Sequence, residues 1–205
     1  MAQNQRGRRV VGPAGTLRVV SRESRQLSRL LRHAAGERGL AMSADGWASI
    51  DDVCKMLRMD RAAVDRAVVE NDKSRLQVEG DRIRACQGHS VDGMPVTREA
   101  LENSWRRVAP DQLLWHGTNR AALPGIEEHG LLPGRRTHVH LAPAKDSRVG
   151  RRSAVDVLLG IDPAQLDEPV FEAPNGVLLT RFVPAKAIVV VEKADAVHWG
   201  GWSGG

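Results

Sequence analysis

The sequence predicts an α+β fold in two parts, and three observations carry that reading. Apolar residues at helical spacing recur three times in the first third of the chain. A period-two pattern with a central turn follows them, which reads as a hairpin. The second half then holds short apolar strands around a single helix. Three helices and a hairpin, in that order, form the pattern of an N-terminal winged-helix lobe, a common nucleic-acid-binding module. The remainder reads as a C-terminal β-rich lobe. Two small lobes suit a chain of 205 residues.

The elements follow in chain order. Residues 1–20 form an expected disordered basic tail, because Gly7, Gly12, Pro13 and Gly15 punctuate it. The winged-helix lobe is expected over 21–92. Leu27, Leu30, Leu31 and Ala34 make the apolar stripe of its first helix, and Arg25, Arg29 and Arg32 lie on another stripe. Gly36 and Gly39 end that helix. Ser49 caps a second helix with Val53, Met56 and Leu57 inward. The third follows Asp60, with Ala63, Val64, Ala67 and Val68 inward, and stops at Asn71-Asp72. Leu76 and Val78, a turn at Glu79-Gly80-Asp81, then Ile83 and Ala85 form the hairpin. A polar linker with Pro95 and Pro110 spans 93–111. Expected strands beyond it are Leu113–Trp115, His138–Leu141, Val155–Leu159, Val177–Phe182 and Ala187–Glu192, with a helix over Ala121–His129 ending at Gly130. This second lobe runs over 112–198, and 199–205 is a Gly-rich flexible tail.

Charge points to a polyanionic partner. The chain carries 30 Lys+Arg against 25 Asp+Glu, and residues 1–32 alone hold eight arginines and one acid, Glu23. Arginine grips phosphate bidentately, so a basic end suits nucleic acid. No apolar run approaches the roughly 18 residues of a membrane span, and none near the N-terminus suits a signal peptide. A cytoplasmic protein with no membrane contact and no obligate protein partner is therefore expected. Cys54 and Cys86 form no CxxC and read as reduced thiols. There is no GxGxxG after a strand and no GxxxxGK[ST], which excludes an ordinary Rossmann or P-loop enzyme. His138 and His140 share a strand face but lack a third ligand, so no metal is expected.

Six segments carry more information together than apart. They are Leu27–His33 followed by Asp45-Gly46-Trp47; Asn71–Arg75; Ile83–Ser90; Leu114–Thr118; Arg136–Leu141 followed by Val149–Arg152; and Asn175–Thr180 followed by Val183-Pro184. Their order and spacing resemble the tRNA/RNA 2′-phosphotransferase family (KptA), from about Ser24 to Val191. The resemblance implies that the second lobe is ADP-ribosyltransferase-like and binds NAD as co-substrate. It implies transfer of an internal 2′-phosphate from 2′-phosphorylated, tRNA-like RNA to NAD through an ADP-ribosylated RNA intermediate. The products are 2′-hydroxyl RNA, ADP-ribose 1″,2″-cyclic phosphate and nicotinamide, a step of tRNA processing and splicing.

Carried over residue by residue, the resemblance places the catalytic groups at Arg32, His33, Arg75 and Arg152. It places NAD against His116, Gly117, Thr118, Gly130, Arg136 and His140. It places the RNA against Lys73, Gln87, His89 and Ser90. Trp115, Cys86, Ala142, Leu178 and Leu76 depart from the residues usual in the family. With Ala142 goes a hydroxyl that the usual Ser would offer NAD. The residue types suit the chemistry on their own terms, because a 2′-phosphate is a dianion and arginine is always charged with a planar fork of donors. Gly117 would admit the cofactor to the backbone, and Thr118 adds a hydroxyl. Arg29, Arg84 and Arg151 read as surface charges. Two other functions fit parts of the pattern. One is an ADP-ribosyltransferase acting on nucleic-acid ends or protein, and the other is a non-catalytic winged-helix nucleic-acid-binding protein.

Overall fold

A computed structural model describes residues 21–70, 74–147 and 155–193, with the backbone of 9–11 and 17–19. It is a mixed α+β structure. The stretch 1–20, expected as disordered, contains an antiparallel pair of short strands, β1 (Arg9–Val11) and β2 (Leu17–Val19).

The first helix, α1 (Arg22–Arg29), starts at Ser21, whose hydroxyl accepts from the Ser24 amide. It continues as a π-helical turn over Leu30–Ala34. In that turn Leu30, Leu31 and Ala34 all stay buried. A two-residue strand β3 (Ala48–Ser49) leads into α2 (Ile50–Leu57), capped by the Ser49 hydroxyl on the Asp52 amide. Asp60 caps α3 (Arg61–Val69) at 2.6 Å from the Ala63 amide. Each such cap contributes about 1 kcal/mol. The hairpin follows as β4 (Leu76–Glu79) and β5 (Arg82–Ala85), with β3 adding a third strand beside β5. Leu27, Leu31, Ile50, Val53, Val64 and Ile83 fill the core beneath these elements.

The expected linker is a correction. Residues 93–111 hold a helix, α4 (Arg98–Asn103), and a strand, β6 (Arg106–Val108). Thr97 caps α4, and Leu101 and Trp105 pack with Phe171, Val177 and Leu179 in a core of their own. Polar composition masked the helix because only one of its faces is covered. Further on come β7 (Leu114–Thr118), α5 (Leu123–His129) and β8 (Val139–Leu141). They are followed by β9 (Val157–Ile161), β10 (Val170–Glu172), β11 (Leu178–Thr180) and β12 (Ile188–Lys193).

These strands form two sheets, ordered β6-β10-β11-β8 and β12-β9-β7. All of their pairings are antiparallel. A bridge between Trp115 and Ala142 ties β7 to the end of β8. Strand β10 was not foreseen, since its three residues are too few to show alternation. Gly130 ends α5 at φ 73°, and a Cβ there would sit 2.2 Å from the Val183 carbonyl. No helix among the described residues is long and apolar enough to cross a membrane.

Candidate active site

The segment after the hairpin, Cys86–Val91, joins the first half of the chain to the second. Its backbone runs beside residues 135–137. The Thr137 amide donates to the His89 carbonyl at 3.0 Å, and the Val91 amide donates to the Arg135 carbonyl at 3.1 Å. Ser90 and Arg136 pair between them. On the other side the Ser90 amide donates to the Arg32 carbonyl at 2.9 Å. That satisfies one of the carbonyls a helix end leaves without an internal partner. From behind, the Trp105 indole donates to the Cys86 carbonyl at 3.0 Å.

Arg32 and His33 leave the π-helical turn toward this segment. Arg32 donates through Nη2 to Gln87 Oε1 at 3.0 Å. Its guanidinium lies so close over Gly88, at φ 87°, that a Cβ there would come within 1.8 Å of it. Burial, with the charges of Arg136 and Arg75 acting in the same direction, lowers the Arg32 pKa to about 10. Arg32 Nε is buried with no hydrogen-bond partner. A cleft of about 200 Å³ opens beside it, lined by Arg32, His33, Arg75, Arg29, Arg25, Ser28 and Ser24. Converging cations, a desolvated guanidinium and an orphaned donor are what a bound anion would relieve. The donor set therefore fits a phosphate dianion.

His33 Nδ1 lies 2.8 Å from Ser90 Oγ. Burial and the neighbouring charges, Arg32 first among them, hold its pKa below the ordinary histidine value. His33 is thus held as neutral imidazole near pH 7 and can accept or donate a proton at a ring nitrogen.

A second group of histidines stands on the strands. His140 Nε2 lies 2.7 Å from the same Gln87 Oε1 that Arg32 uses. An amide oxygen only accepts, so His140 donates there through Nε2–H. His116, on β7, meets the His140 backbone carbonyl through Nδ1 at 2.9 Å. A carbonyl also only accepts, so His116 donates there through Nδ1–H. Burial pushes the His140 pKa well below the usual value, with Arg136 and Arg32 adding to it. His116, His140, Gln87 and Arg32 thus form one linked row across β7, β8 and α1's end.

Other expected residues stand differently. Lys73 and Arg152 lie outside the described residues, as does Arg151. Thr118 closes β7 and is buried, and its carbonyl accepts from the Asp156 amide. Gly117 is required by packing, since a Cβ there would meet Val155 at 2.8 Å. Gly130 serves as the helix cap described above. Both small residues therefore have a structural reason that needs no cofactor. His89, expected at the RNA, is fully buried at 0% exposure, with neither ring nitrogen hydrogen-bonded. Arg84, read as a surface charge, is buried at 5% exposure. It donates to Gln77 and Ser104 and stacks 4.6 Å from the Trp47 ring centre.

Sequence reasoning missed a buried ionic group. Glu102 on α4 accepts from Arg181 through both oxygens, at 2.6 and 2.8 Å, and meets His138 Nε2 at 2.9 Å. The only sequence signal was the His138–His140 pair sharing a strand face. Glu102 and Arg181 lie 79 positions apart, beyond any local pattern. Among the described residues no group of three or more His, Cys, Asp or Glu could hold a metal ion.

Residues 19–182 match the family model described as RNA 2'-phosphotransferase, Tpt1 / KptA family. The chain is 41% identical over 180 residues to a probable RNA 2'-phosphotransferase of Burkholderia lata, covering 81% of this chain and 88% of that protein. It is 40% identical over 177 residues to one of Pseudomonas aeruginosa, covering 80% and 93%. It is 37% identical over 173 residues to one of Streptomyces coelicolor, covering 80% and 91%. The family that the six sequence segments resemble is the family found.

Proposed function

This chain belongs to the RNA 2'-phosphotransferase, Tpt1 / KptA, family, and on that premise we propose that it removes an internal 2′-phosphate from RNA by transferring it to NAD. The observation that carries this reading is the linked row His116, His140, Gln87 and Arg32, which ends in the arginine-lined cleft. The first half, as a winged-helix lobe, holds the RNA phosphate. The second, as an ADP-ribosyltransferase-like lobe, holds NAD against His116, His140 and Arg136. The second lobe begins near α4 rather than at residue 112, because β6 pairs with β10.

The reaction takes two steps. A 2′-phosphate oxygen attacks C1″ of the nicotinamide ribose. The glycosidic bond breaks, and nicotinamide leaves with its electron pair, which neutralises the ring nitrogen. The phosphate is already ionised, so this step needs position more than a base. The ribose 2″-oxygen then attacks phosphorus, and the bond to the RNA 2′-oxygen breaks. The 2″-hydroxyl proton passes on, and the RNA 2′-oxygen is protonated. Arg32, Arg75 and Arg152 stabilise the charge growing on the phosphoryl oxygens. His33, neutral and held by Ser90, is the group assigned to move the proton.

Nicotinamide release with and without 2′-phosphorylated RNA tests the reading. Release that depends on the RNA, with a cyclic phosphate product, supports it. An adduct that never goes on to product indicates an ADP-ribosyltransferase instead. RNA binding without NAD consumption indicates a non-catalytic binding protein. Arg75→Ala should slow the second step more than the first, because only there does charge build on the phosphoryl group. A single-turnover time course on end-labelled RNA should then show the ADP-ribosylated RNA accumulating. A slow variant that never shows the adduct would assign Arg75 to binding or to the first step.

A further inference from the structure

The arginine cleft does not end at the groups assigned to the 2′-phosphate. It extends back along α1, where Ser24, Arg25, Ser28 and Arg29 complete its lining. None of its lining residues is acidic. The one acid of α1 is Glu23. Two helical residues turn about 200°, which places Glu23 on nearly the opposite side of the helix from Arg25. Arg25 and Arg29 are exposed, while Ser28 is half-buried between them. Arg29 is close enough to His33 for its charge to help lower the His33 pKa. The lining therefore runs as one cationic strip from Arg25 to Arg32.

From the strip's geometry we infer a second binding subsite, for the phosphodiester backbone of the RNA strand beside the 2′-phosphate. Ser28 and Arg29 take the neighbouring phosphate, and Arg25 takes the next. The inference rests on the reading that Arg32, His33 and Arg75 receive the 2′-phosphate. Arg25 and Arg29 are four residues apart, a rise of about 6 Å along the helix. That step is comparable with the distance between successive phosphates on a nucleic-acid strand. A diester carries a single charge, so one arginine and a hydroxyl suffice for each. The dianion at the end of the row meets several arginines. Contacts of this kind set position and salt dependence, not sequence preference.

The test compares wild type with Arg25→Ala/Arg29→Ala by fluorescence anisotropy on three labelled probes. The first is a short ribo-oligonucleotide with one internal 2′-phosphate. The second is the same strand with neutral methylphosphonate linkages on both sides of that nucleotide. The third is poly-glutamate. The variant should bind the charged strand at least tenfold more weakly. Its slope of log affinity against log salt should fall by about 1.4, for two contacts to a single strand. Both proteins should bind the neutral-backbone probe alike. Equal weakening on both RNA probes would overturn the subsite, because the arginines would then serve the 2′-phosphate itself. Unchanged binding of the charged strand would overturn it too. Poly-glutamate binding as tight as RNA binding, lost in the variant, would replace the RNA strand with an acidic protein segment. Wild-type nicotinamide release with the first probe reports separately on the function. Its failure would overturn that reading, while the backbone comparison still decides the subsite.

Discussion

Arg32 and His140 donate to the same atom, Oε1 of Gln87, at 3.0 and 2.7 Å. One donor comes from the end of the first helix and the other from β8, so a single amide oxygen ties the two halves of the chain together at the candidate site. Gln87→Leu keeps the approximate volume and removes that acceptor. Hydrogen bonds to a charged group contribute about 1.5–3 kcal/mol, so the RNA-dependent rate of nicotinamide release should fall roughly 10- to 100-fold. A melting curve near wild type must accompany the loss. An unchanged rate would show that Arg32 and His140 hold their places without Gln87.

Gly88 makes a sharper test of the Arg32 position. Gly88→Ala would force a Cβ to within 1.8 Å of the guanidinium and would strain a backbone at φ 87°. A displacement of about 1 Å in a positioning group can cost on the order of 100-fold in rate. Gly80→Ala is the control, since Gly80 has φ 58° and nothing within 4 Å of the added carbon. Both variants share the backbone strain, but only Gly88→Ala should lose activity. Equal activity in the two would mean that Arg32 adjusts freely.

The sequence made some of this architecture legible, and the reason lies in the range of each signal. Ser49 and Asp60 announced their helices because a cap acts within three residues. The α1 stripe of Leu27, Leu30, Leu31 and Ala34 was visible because burial repeats with the helical period. The π-helical turn that aims Arg32 and His33 left no such mark. Helix α4 was hidden in a polar stretch, where its capping Thr97 and its buried Leu101 were too few to stand out. The convergence of Arg32, Gln87, His140 and His116 joins residues up to 108 positions apart. The family resemblance named these four residues in separate roles, and no local pattern joins them. The burial of His89 and the packing need at Gly117 were likewise decided by tertiary neighbours.

Glu102 holds α4 to the end of β11 through Arg181 and to the start of β8 through His138. Burial favours the neutral carboxyl, but the hydrogen bonds from Arg181 and His138 prevail and keep the Glu102 pKa below its ordinary value. Glu102→Gln keeps the shape and removes the charge. Arg181 is partly exposed, so solvent screens part of the loss. The expected destabilisation is about 2 kcal/mol, within the range for hydrogen bonds to charged groups. Urea unfolding at pH 7.5 measures it. A change below about 0.5 kcal/mol, the size of an ordinary surface substitution, would mark the group as dispensable.

His89 sets an acid limit on the fold. It is fully buried, both ring nitrogens lack hydrogen-bond partners, and burial together with the nearby Arg32 charge lowers its pKa to about 3. Its ordinary value is 6.5. The folded state therefore refuses a proton that the unfolded chain accepts as pH drops below 6.5. The stability is complete above that value and is lost progressively between 6.5 and 3. One titrating group changes stability by roughly 1.4 kcal/mol per pH unit, so at pH 5 the cost is about 2 kcal/mol. The depressed histidines His33, His138 and His140 act in the same direction. Glu102 contributes only at lower pH, because its folded pKa is depressed from an ordinary 4.5. The loss between pH 7.5 and 5 should thus be carried by histidines. His89→Leu stays neutral throughout, so its urea midpoint should fall less over this range than that of wild type. Parallel falls in the two proteins would show that His89 is not the group excluding the proton.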